Sequence, residues 1–193
     1  MYRTLLFILV VLGCAAVATG ATAPAGFKAG QFDPPRQAPD FTLQGSDGRD
    51  LTFSHYRGKV VLLSFGYSSC TAVCPVSLAT YARARRQMGS AASDVQLVYV
   101  TVDPERDNPA KLQSFLHAFD PTFIGATGTP EQLAKVRKDY GISAQKIPFG
   151  TSYGYSHSSF TYLIDRAGRI RALMPYGHSA EDYVNDLSLL LKE

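Results

Sequence analysis

The chain has 193 residues, a formal net charge of +3, 46% hydrophobic residues and 3 cysteines. That length supplies one sizeable core, so one globular domain is expected. The weak positive charge, with no run of Lys and Arg interleaved with aromatics, gives no nucleic-acid footprint.

Residues 1–23 carry Arg3 and then an apolar run, and no charge falls between Arg3 and Lys28. The run has the form of a secretory h-region and is long enough to span a bilayer. Three fates stay open. "VLGC", Val11 to Cys14, resembles a bacterial lipoprotein cleavage box that would leave Cys14 lipidated. The segment could equally stay as an uncleaved anchor with its N-terminus inside, because Arg3 is the only flanking charge. Cleavage near Ala21–Ala23 is the third. Each puts the rest of the chain outside a bacterial cytoplasmic membrane, since the segment lacks the Arg- and Ser-rich character of an organellar leader. Residues 24–37, rich in Pro and Gly, read as a tether, and residues 38–193 as the folded domain.

Within that domain "FTLQGSDGRDLTF" reads as a hairpin with Asp47 and Gly48 in its turn. "KVVLLSF", Lys59 to Phe65, is a continuous apolar run of strand length, the pattern of a buried central strand. Pro75 then opens a helix reaching about Met88, on which "ARARRQ", Ala82 to Gln87, is a solvated face. "VQLVYVTVD", Val95 to Asp103, is a second buried strand, and Asn108 with Pro109 caps a helix to about Phe119. Thr129 to Gln132 is a capping signature for a helix ending near Gly141. "FTYLID" and "RIRALMPY" form a hairpin around Ala167 and Gly168, and "SAED", Ser179 to Asp182, caps a terminal helix. This order of elements predicts an α/β, thioredoxin-like sandwich with an N-terminal β-hairpin extension. Ile142 to Ser159 shows no period and reads as a long functional loop carrying His157.

Cys70 and Cys74, in "SFGYSSCTAVCPVSL", sit where a buried strand meets a helix start. Unpaired amides and the helix dipole lower thiol pKa values there. Four-residue spacing puts both side chains on one face, near enough for a disulfide or a shared metal ion. In an oxidising compartment such a pair needs a reductant or a metal to stay reduced. Several chemistries are open. "TAVC" matches half of a peroxiredoxin P-x-x-x-T-x-x-C motif, with Tyr67 where the proline belongs. A thioredoxin-type reductase would show C-x-x-C, one residue shorter. Two thiolates and one imidazole would suit three-coordinate copper, whereas structural zinc wants a fourth ligand. Of the four histidines, His55, His117 and His178 read as ordinary, and His157 as the candidate nitrogen donor.

"SSCTAVCP", "VTVDPERDNP" (Val100 to Pro109) and "YSHSSFTYLID" together resemble the SCO/SenC family of copper chaperones, across residues 38–193. The resemblance implies copper, as Cu(I) or Cu(II), held by Cys70, Cys74 and His157. It implies delivery of that copper to the binuclear CuA site in subunit II of cytochrome c oxidase, or to another cuproprotein. The alternative is a thiol-disulfide oxidoreductase that uses Cys70 and Cys74 to keep a cuproprotein's ligand cysteines reduced, itself served by a thioredoxin-like reductant. The implied place is a membrane-anchored domain facing the periplasm. Two details bear on the site. Ser156 stands where family members often have Asp, a residue that could orient the imidazole, and such outer-shell partners are worth about 10- to 100-fold in metal affinity. Asp103, Glu105, Arg106 and Asp107 match the family's DPERD motif and are expected to form a turn and supply the first charges of the following helix.

Overall fold

The computed structural model describes residues 26–193. The apolar segment 1–23, with Cys14 and its three possible fates, lies outside the described residues.

The continuous apolar run becomes β4 (Val60–Gly66), buried at every position. It pairs in parallel with β5 (Val95–Thr101), and Gly66 lies opposite Thr101. On its other side it pairs antiparallel with β9 (Thr161–Ile164), where Ser64 faces Thr161. Outward from β9 come β10 (Arg169–Met174) and β1 (Gly30–Gln37). Outward from β5 come β6 (Ile124–Thr127) and the hairpin of β2 (Thr42–Gly45) and β3 (Asp50–Thr52). The eight strands make one sheet, β1-β10-β9-β4-β5-β6-β2-β3, and the predicted N-terminal hairpin forms its far edge.

Helices cover both faces, which explains the unbroken hydrophobicity of β4 and β5. On one face α1 (Val73–Met88), α2 (Pro109–His117) and α4 (Ala180–Leu191) enclose Leu78, Tyr81, Tyr99, Leu112, Tyr183 and Leu187. On the other, α3 (Pro130–Asp139) closes over Phe41, Phe53, Leu133, Val136, Tyr140 and Tyr162. Each fully buried leucine here contributes about 1.5–3 kcal/mol of transfer free energy. The predicted caps form: Asn108 accepts from the Lys111 amide, and capping boxes join Thr129 to Gln132 and Ser179 to Asp182. The "ARARRQ" stretch is only half solvated, because Ala82 and Ala84 are buried and Arg85 bonds the carbonyls of Ala92 and Val95.

Two expectations need correction. Residues 30–37 are not tether but edge strand β1, paired with β10. Its register breaks between Gln31 and Arg36, where Pro34 and Pro35 have no amide to donate. Just before it, the Lys28 and Ala29 amides donate to the buried Asp186 carboxylate at 2.7 and 2.9 Å. The second correction concerns Ile142 to Ser159. Most of it is a two-stranded antiparallel hairpin, β7 (Ala144–Phe149) and β8 (Ser152–His157), separate from the main sheet. Gly150, at φ +55°, takes the left-handed turn position that suits glycine.

Candidate metal centre

The parallel strands β4 and β5 and the antiparallel β9 bring three chain segments to one end of the sheet. Cys70 follows β4, Cys74 lies in the first turn of α1, and His157 closes β8 just before β9. His157 is thus at a strand end rather than on a free loop. Cys70 is half-buried and Cys74 is 3% exposed, and neither is in a disulfide.

Helix α1 has no side-chain oxygen cap. Its cap is sulfur: the Cys74 amide donates to Cys70 Sγ at 3.5 Å. A hydrogen bond from the Cys74 thiol is the main cause that brings the Cys70 pKa down to about 3, outweighing burial, with the Cys74 and Ala72 amides adding to it. The same hydrogen bond, together with burial, pushes the Cys74 thiol up. The pair therefore carries one negative charge on the accessible sulfur and one proton on the buried sulfur. This bears on the peroxidase spacing, which would make Cys74 the nucleophile: Cys74 is the buried, protonated member.

His157 Nε2 stands 3.7 Å from Cys74 Sγ. Its Nδ1 lies 2.8 Å from the Ser158 carbonyl oxygen. A carbonyl only accepts, so Nδ1 carries the proton and the Nε2 lone pair is left facing the sulfur. Ser158 is itself anchored to Ser143: its amide donates to the Ser143 carbonyl at 3.0 Å, and its hydroxyl accepts from the Ser143 amide at 3.1 Å. The imidazole edge packs on the Tyr67 ring, centroids 5.9 Å apart. Ser156, its neighbour along β8, is exposed and lines the groove outside the site. The bond that orients the imidazole comes from the Ser158 carbonyl and not from residue 156.

The Cys74–His157 spacing is one that a shared metal ion would give. Bonds of roughly 2.3 Å to sulfur and 2.0 Å to nitrogen, the lengths these donors make to zinc, place the two atoms about 3.7 Å apart at a trigonal angle. Two sulfurs and one imidazole are a set that selects Cu(I). Among the described residues, no three Cys, His, Asp or Glu side chains are already drawn round one point, so the donors are adjacent rather than closed. His55 and His117 are exposed elsewhere, and His178 pairs with Asp182 at 3.2 Å.

The turn after β5 ties the two donor-bearing segments together. Buried Asp107 accepts from the Ser68 amide at 3.0 Å, from the Ser68 hydroxyl, and from Thr101 Oγ1 at 2.6 Å. It thereby pins the loop that carries Cys70. Buried Asp103 pairs with Arg106 Nε at 2.5 Å and faces Tyr153 Oη at 3.1 Å. Arg106 donates to the Tyr153 carbonyl at 3.0 Å and lies 3.8 Å over its ring, while Glu105 pairs with Lys146 of β7 at 2.6 Å. These contacts pin the hairpin that carries His157. Tyr67 adds another, its Oη accepting from the Tyr155 amide at 3.2 Å. The expected structural role of the four charged residues holds, but as clamps rather than as helix-start charges. Ser68, Tyr153 and Ser158 went unnoticed in the sequence, and Tyr67 was noticed only as the residue in place of a peroxiredoxin proline; a tyrosine at every second position of "SYGYS" was the available signal for Tyr153.

Known proteins share sequence and fold with this chain. A family model described as SCO1/SenC matches residues 30–192. A SCO2-like protein of Rickettsia conorii is 33% identical over 133 residues, covering 67% of this chain and 65% of that protein. The copper-bound structure of Bradyrhizobium japonicum ScoI is similar, with TM-score 0.74 and 35% identity over 80% of this chain and 99% of that one. So is a SCO1/SenC family lipoprotein from Bacillus anthracis, with TM-score 0.70 and 27% identity over 81% and 96%.

Proposed function

The chain belongs to the SCO1/SenC family, and from that premise we propose that it binds one copper ion and hands it on during cytochrome c oxidase assembly. Cys70 and Cys74 supply the sulfurs and His157 Nε2 the nitrogen. The recipient is the CuA site of oxidase subunit II or the equivalent site of another cuproprotein. The observation that carries this reading is the fixed tautomer of His157: its bare Nε2 faces Cys74 across 3.7 Å, beside the Cys70 thiolate. Disulfide exchange requires the two cysteines and an accessible thiolate, whereas copper binding also requires a nitrogen donor. Copper is cargo, and binding it displaces the proton held on Cys74. A Cys70–Cys74 disulfide would remove both sulfur donors, so the reduced pair is the loading form.

The place of action we propose is the periplasmic face of a bacterial cytoplasmic membrane, with the apolar N-terminal segment as tether. The lipoprotein character of the Bacillus anthracis relative supports this. Among the described residues no helix is long and apolar enough to cross a membrane.

One observation favours a second reading, thiol-disulfide exchange. The accessible Cys70 is the charged sulfur and the buried Cys74 retains a proton, which is the division between an attacking and a resolving thiol. Cys70 would attack a partner's disulfide, Cys74 would then resolve the mixed disulfide, and the partner's two cysteines would leave reduced. A thioredoxin-like donor must return the two electrons. Anaerobic Cu(I) titration of the reduced protein against a chelator separates the readings, with Cys70→Ser, Cys74→Ser and His157→Ala in parallel. One tightly held copper weakened by all three supports the chaperone. Weak binding, or binding indifferent to His157→Ala with dithiol exchange intact, leaves the oxidoreductase.

A further inference from the structure

Tyr99 sits in the middle of β5 as one more member of an apolar run, yet its hydroxyl is anomalous. The side chain is 2% exposed, and Tyr99 Oη is buried with no hydrogen-bond partner among the described residues. Orphaned buried hydroxyls are rare and costly, so one in a native core asks for a reason.

The position of the hydroxyl supplies one. Above the Cα of Gly66, the last residue of β4, a Cβ would lie 2.1 Å from Tyr99 Oη and 2.9 Å from Cys74 Sγ. Oxygen and sulfur thus converge on a space that only the missing glycine side chain leaves free. A small cavity of about 10 Å³ adjoins it, bordered by Ser64, Cys74, Ser77, Tyr99 and His157. A neutral thiol is a weak acceptor, whereas a thiolate takes a strong, charge-assisted bond. Tyr99 Oη and Cys74 Sγ border the same small space above Gly66, so a metal-bound Cys74 thiolate there would be the stronger acceptor within reach of the hydroxyl.

We propose that Tyr99 is a positioning residue for the metal site, donating its hydroxyl hydrogen to Cys74 Sγ when that sulfur binds copper. The inference rests on the copper reading above and adds a donor outside the ligand set. Hydrogen bonds around a ligating sulfur tune a copper centre's potential and affinity, and Tyr99 would be the one reaching Cys74 from the sheet side. The other side of Cys74 is occupied by His157 and Cys70.

Tyr99→Phe removes only the oxygen. The experiment uses the full-length protein in detergent, wild type and variant. It combines Cu(I) competition titration, absorption of the Cu(II)-loaded form, and thermal unfolding without metal. Expected is a Cu(I) affinity weakened about tenfold, the usual scale for losing an outer-shell partner. The sulfur-to-Cu(II) charge-transfer band should move to longer wavelength, because the thiolate lone pairs lose a stabilising donor. The metal-free unfolding midpoint should hold or rise, because an unpartnered hydroxyl has left the core. Wild-type affinity with an unmoved band overturns the assignment, and so does a metal-free midpoint that falls, which marks a merely structural bond. A wild-type protein that holds no copper overturns the copper reading itself, and this inference with it, before the variant is considered.

Discussion

Replacing Asp107 should cost more than replacing any other charged residue near the site, and the cost follows from its three donors. The carboxylate is wholly buried and accepts from the Ser68 amide, the Ser68 hydroxyl and Thr101 Oγ1. Asp107→Ala orphans all three. The two hydroxyls can turn to other acceptors, but the amide cannot, and lost bonds to a charged acceptor are worth about 1.5–3 kcal/mol each. A loss of about 3–5 kcal/mol is expected, within the range for breaking a buried charged contact. Asp107→Asn keeps the shape: its oxygen can accept from the Ser68 amide and Thr101, and its NH2 can donate to the Ser68 hydroxyl. It should lose only the charge, about 1 kcal/mol. Urea unfolding of the metal-free protein reads both values. The clamp also holds the loop two residues from Cys70, so Asp107→Ala should weaken Cu(I) binding as well. Leu187→Ala on α4, a buried deletion of comparable cost at about 2–5 kcal/mol, should leave it unchanged. An Asp107→Ala variant within about 0.5 kcal/mol of wild type would refute the clamp, that being the scale of an ordinary surface change.

Gly66→Ala places a methyl 2.1 Å from Tyr99 Oη and 2.9 Å from Cys74 Sγ. It should destabilise by about 1–3 kcal/mol in urea, as overpacking does, and an unchanged midpoint would show that the two groups move aside freely. In the metal-free protein a Cys70 pKa near 3, below the ordinary thiol value, means that thiolate persists as pH falls until about 3. Alkylation of Cys70 by iodoacetamide should therefore vary by no more than about twofold between pH 5 and 8. A rate climbing tenfold per pH unit across that window would show a thiol of ordinary acidity. Ser156→Asp should change Cu(I) affinity by less than about threefold, because Ser158 already orients the ring. A large tightening would show that residue 156 reaches the imidazole after all.

Short-range signals carried most of the fold. The strand Val60–Gly66, the caps at Asn108, Thr129 and Ser179, and the turns at Gly48 and Gly168 each announce themselves within a few residues. Cys70 and Cys74 stood out by their spacing at a strand-to-helix junction, and the structure places them side by side there. What stayed hidden depends on distance along the chain or on a broken pattern. β1 carries Pro34 and Pro35, which read as tether composition until β10 supplies a partner edge. The β7–β8 hairpin stands off the main sheet with both faces partly exposed, so it lacks the alternation of apolar and polar residues that marks a half-buried strand. The Asp107–Ser68 and Asp103–Tyr153 contacts join residues 39 and 50 positions apart, and no local pattern encodes them. Tyr99 was invisible for the opposite reason, since a tyrosine inside an apolar run looks like ordinary core.

The sulfur cap on α1 links helix stability to electrochemistry. In the reduced protein the first-turn amide of Cys74 bonds a charged sulfur, whereas a disulfide would leave it a neutral, poorer acceptor. If that difference matches an ordinary N-cap, about 1 kcal/mol favours the reduced form. For a two-electron couple this raises the reduction potential by about 20 mV. The helix start thus acts as a small built-in reductive bias, holding the pair open to metal in a compartment that tends to oxidise it.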